Sequence, residues 1–79
     1  MIVPTKTIAK DRDGEVDLMV FPNYEENKFE FHLVEFYRNE KPILIRAKTY
    51  SLPLKIEEIA SEFGVKIEDV KEIVDKIYS

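Results

Sequence analysis

The stretch KPILIRAKTYSLPLK, residues 41–55, holds Lys41, Arg46, Lys48 and Lys55 and no acidic residue. On an extended strand Arg46, Lys48 and Tyr50 share one face, because successive side chains alternate sides. Such a row suits single-stranded nucleic acid, with charge on the backbone and Tyr50 stacked on a base. With Lys41 it forms the candidate nucleic-acid contact. The same charges also suit cross-strand ion pairs with Glu30 or Glu35, the commoner use of such residues on a sheet.

Other reactive residue types do not assemble. Asp11, Asp13 and Asp17 around Gly14 look at first like a calcium loop, but counting from Asp11 puts Pro22 at the twelfth position. An EF-hand needs a bidentate glutamate there. A hairpin turn accounts for these residues, and no metal site is expected. His32 is the single histidine, and a half-exposed sheet position suits it better than a catalytic one. The pairs Glu25-Glu26, Glu57-Glu58 and Glu68-Asp69 fall in a loop or in first helical turns, where they serve solubility and the helix dipole. The chain has no cysteine, so disulfides, thiolate zinc ligands and thiol nucleophiles are excluded. No nucleophile, base and oxyanion site come together. Neither an enzyme nor a cofactor is expected.

The aromatic residues carry a different signal. Phe21, Phe36 and Tyr37 fall out of phase with the positions assigned to the core, and from Val34 onward strand 28–37 is apolar on both faces. Two short helices can cover only one face of a small sheet. Phe21, Val34, Phe36 and Tyr37 are therefore expected to form a partner interface, since soluble monomers seldom leave large apolar patches uncovered. A homodimer, or an obligate complex with another protein, would form through the sheet face or an exposed edge strand. A sheet curled enough to bury both sets within one chain is the alternative.

These candidates need a frame. Residues 1–50 read as strands and turns and residues 54–79 as helix, within a single domain spanning 1–79, and Ser51-Leu52-Pro53 marks the boundary. Thr5 to Lys10 is a β-branched strand with edge lysines, and Asp11 to Gly14 is a turn. Val16, Leu18 and Val20 alternate, as do Phe29, Phe31 and Leu33, before a polar turn at 38–42. Pro22 to Asn27 reads as a polar loop. Ile43, Ile45 and Ala47 then alternate with Leu44, Arg46 and Lys48. Short connections give an antiparallel meander of three or four strands over residues 2–50. The period then changes to that of helices near 55–63 and 67–78, packed on one face of the sheet. The fold class is α+β.

Glu58 to Ile73 resembles the helix-turn-helix motif superfamily, within residues 54–78. Ile59-Ala60 matches its apolar-plus-small pair, Phe63-Gly64-Val65 its turn, and Val70 and Ile73 the inward positions of its second helix. The resemblance implies a second helix that enters the DNA major groove. Here that helix would present Lys66, Glu68, Asp69, Lys71, Glu72, Asp75 and Lys76 outward, with no Arg, Asn or Gln for bidentate base reading. Four strands followed by a helix also resembles the order in a family of single-strand-binding transcription coactivators.

At 79 residues with a net charge of −4, the chain is one small domain, too acidic to be expected as a general nucleic-acid coat. Its Glu, Lys and Ile content and lack of Gln match the bias of thermophile proteins. No apolar run is long enough to cross a bilayer and the start lacks a cleavable apolar stretch, so a soluble cytoplasmic protein is expected. The leading functional expectation is a small non-catalytic interaction protein, an accessory subunit or regulator binding a protein partner or itself. A nucleic-acid-binding regulator, using the helix-turn-helix-like corner or the basic sheet face, is the alternative.

Overall fold

Thr5–Lys10, Gly14–Asn23, Lys28–Tyr37 and Ile43–Ser51 form strands β1 to β4, and Ile56–Phe63 and Ile67–Ile77 form helices α1 and α2. The computed structural model describes residues 3–79, so the first two residues of the expected strand region lie outside the described part. The strands lie in the order β1-β2-β3-β4, each pair antiparallel. This is the meander that short connections require, in its four-stranded form.

The turns follow from local chemistry. Asp11 Oδ1 accepts hydrogen bonds from the N–H groups of Asp13 and Gly14 at 2.8 and 3.0 Å, closing the β1–β2 turn with a side chain. Gly14 then pairs with Tyr37, and a Cβ at Gly14 would meet the Phe36 carbonyl oxygen at 2.4 Å. Only glycine fits that approach. Strand β2 runs on through Pro22 to Asn23, into the segment expected as a loop. Proline is tolerated there because β1 pairs with β2 only up to Met19, leaving Pro22 on a local edge.

One face of the sheet carries the core. Leu18 and Val20, Phe29 and Phe31, and Tyr50 pack against Ile59, Ala60, Phe63, Val70, Ile73 and Ile77 of the helices. The helices start at Ile56 and end at Ile77, one residue inside the expected limits. Both lack a side-chain N-cap and carry acids in the first turn instead, which complement the dipole. Gly64 ends α1 at φ 64°, ψ 35°, and Val65 N–H reaches back to the Ala60 carbonyl at 3.0 Å. Nothing lies within 4 Å of a Cβ built at Gly64, so a side chain there meets only backbone strain. Gly64→Ala is expected to cost about 1 kcal/mol, read as a lowered urea midpoint with an unchanged slope.

Candidate functional site

The alternation of side chains gives the sheet two surfaces of different chemistry. On the helix side, Arg46, Lys48 and Tyr50 share a face, as the spacing requires. Their partners are not the expected glutamates. Arg46 Nη2 donates to Glu62 Oε1 of α1, and Lys48 Nζ lies 3.5 Å from the same oxygen. Glu30 and Glu35 remain with strand neighbours: Glu30 Oε1 is 2.9 Å from His32 Nε2, and Tyr37 Oη donates to Glu35. The reason is tertiary, because α1 brings an acid over the end of β4. Tyr50 is 9% exposed, its ring edge-on to Phe31 at 5.5 Å between centroids. Lys48 Nζ sits 5.5 Å from the centre of the Tyr50 ring. The row is thus spent within the chain, and Lys41 stands apart from it, exposed in the turn ahead of β4.

The Arg46 hydrogen bond holds the Glu62 carboxyl below the usual glutamate value of 4.5, and Lys48 adds to it. A carboxylate depressed in the folded state stabilises above the unfolded value and loses that contribution as pH falls. Glu62→Gln is therefore expected to lower the melting temperature slightly near neutrality, slightly because the pair is exposed, and to converge with the parent as pH falls below about 4.5. A thermal-melt series from pH 7 to pH 3 checks this.

The other surface has no helix on it, since both helices pack on the first. Pairing places Asp17 level with Val34 and Leu44, Met19 with His32 and Ala47, Phe21 with Glu30 and Thr49, Asn23 with Lys28 and Ser51, and Glu15 with Phe36. This is the surface expected for a partner, with two corrections. Tyr37 belongs to the helix side, because it is in phase with Phe29, Phe31 and Leu33 along β3; it lies beyond the helices and stays 40% exposed. Val34 is on the open side but only 8% exposed, buried by the sheet residues around it. Phe21 is 40% exposed and tilts against the His32 ring at 4.7 Å between centroids. A register shift between Leu33 and Val34 leaves Ile45 without a partner on β3. That bulge breaks the expected alternation and sets Leu44 on the open side. Ile43, Leu44 and Ile45 then lie along the exposed β4 edge, each about half uncovered.

Asp17, which enters the sequence reading only with the discarded calcium loop, is the site residue that reading the sequence missed. It stands between Thr7 and Val34 on the open side, 7% exposed, and its Oδ1 has no hydrogen-bond partner among the described residues. Its burial, followed by the neighbouring Glu15 carboxyl, pushes its pKa up from the ordinary 3.8, while Thr7 and Lys10 pull it down. The only available signal was a charge in phase with Met19 and Phe21, inside the row read as an interface.

No helix is long and apolar enough to cross a membrane. Among the described residues no three His, Cys, Asp or Glu side chains gather in a metal-ligating group. No family model matches the chain, and neither the curated proteins nor the solved structures include a match to it.

Proposed function

We propose that the protein is a small non-catalytic interaction protein, an accessory subunit or regulator whose working surface is the helix-free side of its sheet. One observation carries this reading: the helices cover one side, while Phe21 and Leu44 stay 40% and 55% exposed on the other. Uncovered apolar surface on a sheet is costly in water and marks a contact. The nucleic-acid alternative has less in its favour. Arg46 and Lys48 share Glu62, Tyr50 is in the core, and the exposed positions of α2 include Glu68, Glu72 and Asp75.

A photo-crosslinking amino acid at position 21 is expected to join the chain to a discrete protein species, and one at exposed position 71 is not. Equal labelling from both positions, or none from position 21, overturns the reading. Fluorescence anisotropy with single- and double-stranded oligonucleotides at low salt tests the alternative. Micromolar binding that weakens steeply with salt would favour it.

A further inference from the structure

We infer that the helix-free face is self-complementary and that its partner is a second copy of this chain, an inference that rests on the proposed role of that face. The argument comes from the order of charges along the strands. On this face Asp17, Met19, Phe21 and Asn23 of β2 lie level with Val34, His32, Glu30 and Lys28 of β3. Consider a twofold axis in the plane of the face, crossing the strands at the level of Val20. It lays β2 on the partner's β2 and β3 on the partner's β3, with directions reversed. Phe21 then meets the partner's Met19, and Glu30 meets the partner's His32. Lys28 and Asn23 come over the pair Val34 and Asp17, so an ammonium is supplied beside the buried carboxylate.

Neighbouring alignments lose this match. An axis at Met19 sets Phe21 over a carboxylate and His32 over itself. One at Leu18 sets Met19 over Asp17 and Glu30 over Phe36. An axis at Phe21 opposes Glu30 to Glu30. The level of Val20 brings opposite charges together and stacks the apolar groups, and like charges directly opposed are what an interface avoids. The overlap is small. With the axis at Val20, the levels Asp17 to Asn23 of β2, β3 and β4 face their counterparts, while β1, paired with β2 only between Glu15 and Met19, falls outside. Three strands over that span give a flat footprint of roughly 350 Å². This lies below the roughly 600 Å² per partner at the lower end of stable interfaces and points to a weak dimer, its two sheets stacked as an aligned sandwich.

Sedimentation equilibrium of the full chain up to about 200 µM is the test, a range that covers micromolar association. Dimer is expected, weakened at least tenfold by Lys28→Glu and by Phe21→Lys, with circular dichroism confirming that both variants stay folded. Glu30→Lys and His32→Asp are each expected to weaken self-association, and mixing the two variants is expected to restore a heterodimer, because each change then faces an opposite charge. A strict monomer throughout overturns the second copy as occupant and leaves the face to another protein, which the crosslinking experiment reads independently. A dimer indifferent to Lys28→Glu and Phe21→Lys places the contact elsewhere and overturns the inference.

Discussion

Phe31→Ala is expected to cost about 3–5 kcal/mol, the range for removing a buried aromatic ring, and to leave much of the chain unfolded at 37 °C. Phe31 is fully buried, with the Tyr50 ring edge-on at 5.5 Å and the Phe63 ring at 6.3 Å. It therefore joins β3 to β4 and to α1 at one point. Two short helices have no stability of their own, so a cavity there loosens the sheet and the helices together. A chain of 79 residues has a total stability of roughly 4–12 kcal/mol, of which this loss is a large share. Urea unfolding followed by far-UV circular dichroism measures it. Phe36→Ala is the control, since Phe36 is on the opposite side of the same strand and makes no part of the helix-side core. Its cost is expected to stay near 1 kcal/mol or below. Equal losses from the two substitutions would contradict the division of the sheet into a core side and an open side.

That division was legible in the sequence because it is local. Period two in β2 and β3 places Leu18, Val20, Phe29 and Phe31 on one side and Phe21 and Phe36 on the other without any tertiary information. Ile59, Phe63, Val70 and Ile73 likewise declare the inner side of each helix by spacing alone. What failed to show is what depends on elements meeting. Glu62 reads as one more exposed helix acid until α1 is placed over β4. There it takes both basic side chains that the strand seemed to offer to nucleic acid or to Glu30 and Glu35. The bulge beside Leu33 and Val34 changes which side Leu44 occupies, and nothing in ILIRAKTYS announces an unpaired residue. Tyr37 stays exposed for a simpler reason. Counting two by two from Phe29 puts it on the core side, but the helices end before reaching it, so an in-phase residue is left exposed. The open surface was thus readable in its aromatic part and unreadable in its charges, because Asp17 acquires its character only from burial between Thr7 and Val34.

Asp17→Asn is expected to make the monomer more stable at pH 7, because the amide escapes the cost of ionising a carboxyl that burial and the Glu15 carboxyl hold toward its protonated form. The groups facing Asp17 set the sign. From β1 come the Thr7 hydroxyl and Lys10, on β2 stands Glu15, and β3 contributes Val34 with no titratable side chain. Burial and the Glu15 carboxyl raise Asp17 above 3.8, outweighing Thr7 and Lys10. A carboxyl raised in the folded state binds its proton more tightly there than in the unfolded chain. Its favourable contribution is complete below 3.8 and disappears as pH climbs through the raised folded value. An amide does not ionise, so the variant escapes that loss. The two proteins are expected to match near pH 3, and the variant should gain steadily above pH 4 until the Asp17 carboxyl is fully ionised. Urea titrations at pH 3, 5 and 7 read this, at about 1 µM chain so that association adds nothing to apparent stability. A variant no more stable than the parent at pH 7 would mean that the Asp17 carboxylate is satisfied within the monomer. The same substitution should act in the opposite direction on self-association, because it removes the charge that the partner's Lys28 would meet. A residue that destabilises the lone chain while strengthening the pair is the behaviour expected of a group kept for its contact and not for its fold.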